Sequence, residues 1–275
     1  MKPLPMKKNI LPFILIFSFH SILAQLSISK TLTENRVNPI GLDELNPRFS
    51  WQLTGQGRNL KQTAYEVRVG DSPTGAKSGN MWNSGKVNSD QSSFVSYSGK
   101  VLASGKKYYW QVRVWDGNNK PSVWSTPSFW QTALFNSDDW KATWIRPGFS
   151  EDSIQRPSPL MRKTFRTKGK VISATAYITS LGLYEAFING KRVGDAYLTP
   201  GWTSYNKRLQ YQQYDVTSLL NSSNENAVGV ALGSGWYRGD IGFTKQRNFY
   251  GKEIALLFQM EVTYADGSKD LIVQM

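Results

Sequence analysis

Three adjacent carboxylate pairs, Asp43-Glu44, Asp138-Asp139 and Glu151-Asp152, are the residues of this chain best suited by type to acid–base work. Cleaving a glycosidic bond takes two carboxylates flanking a sugar, one as acid and the other as base or nucleophile. Sequence neighbours do not meet that need: on a strand they point to opposite faces. In polar loops they are usually solvated. Nothing singles out a dyad, and no catalytic residue is expected here.

A second set of residues suits binding rather than bond cleavage. Trp202 and Tyr205 flank one turn, Trp236, Tyr237, Arg238 and Asp240 follow Gly233 and Gly235, and Asn248 and Tyr250 lie in the next loop. Flat rings stack on the C–H faces of a sugar while neighbouring polar groups take its hydroxyls. Glycines let the backbone turn tightly and approach a ligand. The same rings also suit packing under loops or against another domain, because aromatics anchor protein interfaces. These eight residues are the candidate substrate-binding set, and both readings of them stand.

Composition narrows the chemistry. The 275 residues contain no cysteine and a single histidine, His20. That histidine lies in NILPFILIFSFHSILA, Asn9–Ala24, which follows Lys2, Lys7 and Lys8. A basic start, an apolar run and a small residue at its end describe a secretory signal peptide, residues 1–24, cleaved after Ala24. The run is too short to span a bilayer, which takes about 20 apolar residues. The remaining chain has neither His nor Cys. Histidine bases, Ser–His and Cys–His pairs, zinc sites and disulfides are therefore excluded. The product is expected to be secreted or periplasmic, with no membrane span after cleavage.

Loss of Lys2, Lys7 and Lys8 lowers the formal net charge from +13 to +10. The basic residues are scattered, with Arg162-Lys163 and Lys191-Arg192 the densest pairs, and form neither a stripe nor a nucleic-acid motif. No nucleic-acid partner is expected.

The elements that must position the candidate residues are strands. Short alternating runs broken by Gly, Asn and Ser turns predict an all-β chain. Residues 25–133 read as a fibronectin-III/Ig-like β-sandwich: Phe49, Trp51 and Leu53 alternate, as do Tyr65, Val67 and Val69, and Tyr108, Trp110, Val112 and Val114. Leu102 precedes Tyr108 by six, the spacing of a tyrosine corner, and Asp116–Asn119 is a turn. Residues 134–147 read as a linker with one helical turn, whose Trp140 and Trp144 would share a face and wedge two domains together. Residues 148–275 read as a jelly-roll β-sandwich. Asn189-Gly190 closes a hairpin, Asp215 or Thr217 caps a short turn, and Ala265-Asp266-Gly267 joins the last two strands. A chain ending inside such a strand would leave an unpaired ladder edge, so the jelly roll is expected to be truncated at Met275.

Several separate stretches, in order, carry a family resemblance: LTENRVNPIGLDELNPRFSW (Leu32–Trp51), WNSGKV, YYWQVRVWD, DDWKATWI, YITSLGLYEAFINGKRVGDAYLTP (Tyr177–Pro200), and the YNKRLQY–YDVT–GSGWYRG series. Together they closely resemble the non-catalytic N-terminal region of bacterial α-L-rhamnosidases of the glycoside hydrolase family 78 type. The second sandwich resembles the galactose-binding-like jelly rolls of such enzymes. The resemblance implies a parent enzyme that removes terminal α-L-rhamnose from glycans with inversion. Its acidic pair would lie in a later helical (α/α)6 barrel, which this chain does not reach. An inverting pair stands roughly 6.5–9.5 Å apart to admit a water. The implied partners are a rhamnose-containing glycan and that missing barrel in cis. Some family jelly rolls bind rhamnose with calcium, which wants six to eight oxygen ligands. Asp195 and Asp240 are isolated in sequence, so no cofactor is expected, calcium being the one ion left open. The alternative is a stand-alone carbohydrate-binding or adhesion protein made of the same two modules.

Overall fold

A computed structural model describes residues 26–273 apart from 57, 153 and 244. The expected signal peptide lies outside the described residues. Two β-sandwiches follow one another, each with its own apolar core.

The first is built from β1 (Ser27–Thr33), β2 (Arg48–Thr54), β3 (Ala64–Gly70), the short helix α1 (Pro73–Ser78), β4 (Trp82–Asn83), β5 (Val95–Ser96), β6 (Lys107–Trp115) and β7 (Ser128–Gln131). Its sheets run β1-β2-β5 and β4-β3-β6-β7, with antiparallel pairing throughout. The period-two alternation read from the sequence is the core. Phe49 and Trp51 from one sheet face Val67, Val69, Trp110 and Val112 from the other, all buried. Trp110 Nε1 donates to Thr33 Oγ1 at 3.0 Å, a bond that reaches from β6 to β1.

The tyrosine corner forms as expected: the Ala103 N–H donates to the Tyr108 hydroxyl at 2.8 Å. Tyr108→Phe is expected to leave that amide without its acceptor and lower stability by about 1 kcal/mol in urea unfolding. A change within error would show that solvent replaces the phenol there. The Asp116–Asn119 turn also forms, with Asp116 Oδ1 accepting from the amides of Asn118 and Lys120.

The second sandwich contains β8 (Leu160–Arg166), β9 (Val171–Leu181), β10 (Leu183–Ile188), β11 (Lys191–Arg192), β12 (Gln212–Asp215), β13 (Glu225–Gly233), the one-turn helix α2 (Gly235–Arg238), β14 (Ala255–Tyr264) and β15 (Lys269–Val273). Its sheets run β11-β10-β13-β8 and β12-β9-β14-β15. Alternation again decides the faces. On β13, Asn226, Val228, Val230 and Leu232 are buried, while Ala227, Gly229, Ala231 and Gly233 look outward. Asn189 and Gly190 both have positive φ, 50° and 78°, as a two-residue primed turn requires, and they close the β10–β11 hairpin. Asp215 Oδ1 accepts from the Thr217 amide at the head of a 3-10 turn, Thr217–Leu219. Ala265–Gly267 connects β14 to β15. The sequence neighbours β9 and β10 belong to opposite sheets, and Gly182, at φ +125°, makes the corner between them.

The seam differs from its expectation. A single 3-10 turn, Ser137–Asp139, is closed by a capping box in which the Asn136 amide donates to Asp139 Oδ2 at 2.9 Å. The turn ends at Trp140, whose backbone is extended, so the i,i+4 relation that would put Trp140 and Trp144 on one face does not arise. Trp140 packs against the second sandwich, its ring edge-on to Tyr211 at 5.2 Å and to Tyr177 at 6.3 Å. The Leu134 amide donates to the Tyr211 hydroxyl at 2.6 Å, and the Lys141 amide to Gln259 Oε1 at 2.8 Å. Backbone pairing of Ile145 with Leu256 then ties the seam to β14.

Candidate functional site

The candidate aromatic residues converge at the end of β13. There the chain enters α2 through Gly235 (φ +49°), where an added Cβ would lie 2.5 Å from the Leu183 side chain. This close approach sets the helical turn against β10. It delivers Trp236 and Tyr237 outward and Arg238 inward.

Trp236 stacks on Trp202, with ring centroids 5.6 Å apart and planes 5° from parallel. Tyr205 packs between Tyr237 at 5.4 Å and Tyr250 at 4.9 Å, and its hydroxyl donates to the Gly201 carbonyl. Trp202 Nε1 reaches the Tyr250 hydroxyl at 3.4 Å. The amides of Asn248 and Tyr250 donate to the carbonyls of Arg238 and Tyr237, which holds the Gly239–Tyr250 loop against the helical turn. Asn248 has φ 58°, which asparagine tolerates, and its Oδ1 accepts from Arg156. Seven of the eight candidates thus form one cluster. Asp240 stands apart on the exposed part of the loop, paired with Arg247 at 3.0 Å.

Beneath the rings lies a pairing that sequence spacing could not show. Arg238 is only 2 % exposed, and its guanidinium makes two parallel bonds to Glu151, Nη1 to Oε2 at 2.5 Å and Nη2 to Oε1 at 2.6 Å. Its Nε donates to Ser234 Oγ at 3.0 Å. Hydrogen bonding to this guanidinium, aided by its charge, holds the Glu151 carboxyl below its usual range. Three of the guanidinium's N–H donors are thus used inside the protein, and its burial turns the group away from a ligand.

Of the carboxylate pairs, Glu44, Asp139, Glu151 and Asp152 are engaged within the protein. Asp139 accepts from the Ser104 hydroxyl and from Asn136, and the Ser104 bond leads in lowering its pKa. Asp152 Oδ1 accepts from the amides of Gln155 and Ile154, which lower its pKa too. Glu44 Oε1 accepts from the Asn46 amide. A general acid needs a raised pKa to hold its proton near neutrality, the opposite of what Asp139, Glu151 and Asp152 experience. A cleft of about 890 Å³ between the two sandwiches is lined by charges that are themselves engaged: Lys269 pairs with Glu261, and Lys141 Nζ donates to the Asp138 carbonyl. Among the described residues no three His, Cys, Asp or Glu side chains gather as a metal site.

Known proteins share this architecture. Residues 28–136 match the model of the Rha78A-like N-terminal immunoglobulin domain, and residues 169–274 that of the alpha-L-rhamnosidase N-terminal domain. Over 250 residues the chain is 35% identical to an alpha-L-rhamnosidase of Alteromonas sp. (strain LOR), covering 87% of this chain and 27% of that protein. An alpha-L-rhamnosidase of Formosa agariphila is 35% identical over 252 residues, 88% of this chain and 27% of its own length. Among solved structures, Streptomyces avermitilis alpha-L-rhamnosidase complexed with L-rhamnose superposes with a TM-score of 0.81 at 26% identity, over 90% of this chain and 40% of that one. The alpha-L-rhamnosidase from Dictyoglumus thermophilum gives 0.79 at 36% identity, over 90% and 29%. The chain thus spans about a quarter of the length of the curated relatives named. With the two domain matches following one another along it, the chain belongs to the N-terminal region of the α-L-rhamnosidases.

Proposed function

We propose that the chain is the accessory N-terminal part of an exported α-L-rhamnosidase that removes terminal α-L-rhamnose from glycans. Its catalytic acids would sit in a helical barrel outside these residues. The observation that carries this reading is the ordered pair of domain matches on a chain spanning 27% of its relatives' length. The local engagement of Asp139, Glu151 and Asp152 supports it, since none is set up as a proton donor. Export, to the periplasm or the cell exterior, is supported by the basic start and apolar run of residues 1–24.

In this reading the aromatic cluster is a packing surface toward the rest of the enzyme. Its rings are largely spent on one another, and Arg238 is closed to a ligand. The alternative, a stand-alone glycan-binding protein using that cluster, draws on Trp202, which keeps about half its surface exposed.

The test is hydrolysis of p-nitrophenyl α-L-rhamnopyranoside by residues 25–275 and by the reading frame continued past Met275. The short chain is expected to release nitrophenol no faster than buffer. The extended protein is expected to turn over at roughly 1–1000 per second, the ordinary enzymic range. Turnover by the short chain, or a frame that stops at Met275, would overturn the accessory reading.

A further inference from the structure

The two sandwiches meet along a narrow polar strip. Gly41 and Gly105 of the first lie directly against side chains of the second: an added Cβ on Gly41 would stand 3.2 Å from Gln213 Cβ, and one on Gly105 2.8 Å from the Tyr177 hydroxyl. Gln213 and Tyr177 are ladder partners on β12 and β9. Beside them the Tyr211 hydroxyl accepts from the Leu134 amide, and Gln259 holds the seam, its Oε1 accepting from the Lys141 amide and its Nε2 donating to the Asp139 carbonyl. The apolar cores on either side are separate clusters. Gln213 is 8% exposed, and neither polar atom of its amide has a hydrogen-bond partner. A buried unpaired amide weakens the contact that encloses it. Domains joined by a small polar interface move relative to one another unless a large apolar contact prevents it.

Away from the strip the sandwiches part. The outer faces of β6 and β7, with Lys107, Tyr109 and Gln131, look across the cleft at the outer faces of β9 and β14, with Ser173, Thr175 and Glu261. Several charges in the cleft are balanced on their own side, Lys106 by Asp71, Lys269 by Glu261 and Asp270 by Lys168. Two of opposite sign are not. Lys107 of the first wall lies over the Phe129 ring at 4.6 Å, and Asp215 of the second accepts from the Thr217 amide and hydroxyl. Among the described residues neither is in an ion pair.

We propose that the first sandwich pivots on this strip and folds down over the face of β9 and β14, closing the cleft and bringing Lys107 to Asp215. Residues 134–136, between β7 and the 3-10 turn, take up the rotation, as hinges at element ends do. The attraction that closes the cleft acts across it only in dilute salt, since the screening length falls from about 30 Å at 0.01 M to about 3 Å at 1 M. The angle between the sandwiches is thus set by ionic strength. This hinge needs neither a ligand nor the hydrolytic reading.

The chain has no cysteine, so Thr126→Cys and Ala265→Cys, at one exposed residue on each sandwich, supply the only sites for thiol-reactive spin labels. Pulsed electron–electron double resonance on residues 25–275 is expected to give two distances. The ratio of short to long is expected to rise about threefold from about 1 M to about 0.01 M salt, the scale of one exposed ion pair. Lys107→Gln and Asp215→Asn, the latter keeping an acceptor for Thr217, are each expected to remove that threefold rise, and the double variant to lose no more than either. Unaltered melting of each variant separates these losses from unfolding. A single distance, or two in a ratio that salt does not move, overturns the hinge. A rise kept in either variant, or losses that add in the double one, overturns the pairing of Lys107 with Asp215. The labelled chain with both walls intact decides the hinge even where a wall variant fails to fold.

Discussion

Glu151→Ala is expected to lower the stability of the second sandwich by about 3 kcal/mol, at the lower end of the cost of breaking a buried ion pair. The asymmetry of the pair sets the size. Arg238 is 2% exposed and Glu151 27%, so losing the acid strands a guanidinium that water cannot reach. Losing the base leaves a carboxylate that water can partly hydrate. Arg238→Met is therefore expected to cost less than Glu151→Ala, and Glu151→Gln, which keeps an acceptor, to fall between wild type and Glu151→Ala. The sign of the pH dependence follows from the depressed carboxyl. Its contribution is complete above the unfolded carboxylate pKa, about 4.3, and is lost as pH falls through the lower folded value. The gap between wild type and Glu151→Ala in urea midpoint should therefore be widest near neutrality and close in acid. A gap independent of pH, or a larger loss in Arg238→Met, would sink the buried-pair account. The damage should also reach the aromatic cluster. The Asn248 amide is held by the Arg238 carbonyl and the Tyr250 amide by that of Tyr237, so the near-ultraviolet circular dichroism of the Trp202–Trp236 stack should weaken in the same variant.

That ion pair also marks where sequence reading stopped. Alternation fixed the faces of β2, β3 and β6 because a strand's side-chain period is two and one face must be buried. Asn189-Gly190 announced its hairpin because few residue pairs accept two successive positive φ angles. Leu102 and Tyr108 announced the tyrosine corner by spacing alone. Each of these is a local rule. Glu151 and Arg238 are 87 residues apart, and no local rule connects them, so Glu151 read as a solvated loop acid and Arg238 as a ligand contact. The clustering of Trp202, Tyr205, Trp236, Tyr237 and Tyr250 was legible as a set of residues. Their pairing into stacks was not, since it depends on two loops far apart in sequence, one after β11 and one after β13, meeting at the same end of the sheet. Trp140 and Trp144 show the converse error. Spacing of four has meaning only inside an α-helix, and a 3-10 turn that stops at Trp140 removes the premise.

Trp110→Ala is expected to have the largest effect on the first sandwich. Trp110 is fully buried at the middle of β6, with its ring 4.4 Å from Phe49 of the facing sheet. Truncation loses the transfer energy of the indole and leaves a cavity, together about 3–5 kcal/mol. It also removes the partner of Thr33 Oγ1, a hydroxyl in a residue 1% exposed, which adds about 1 kcal/mol or more for an unpaired buried group. Against a typical domain stability of about 5–15 kcal/mol, that leaves the sandwich marginal or unfolded. Trp110→Phe keeps most of the ring and should lose substantially less. The consequence for the second sandwich tests what the first one does. The seam bonds to Tyr211 and Gln259 come from Leu134 and Lys141, just beyond β7, whereas the core between β9, β13 and β14 is a separate cluster. In hydrogen exchange, Trp110→Ala should strip protection from β3 and β6, reduce it at Trp140 and Tyr211, and leave β14 protected. Protection lost from β14 to the same extent would mean that the seam makes both sandwiches one cooperative unit. The first would then be required for the second to fold, rather than a brace that steadies it.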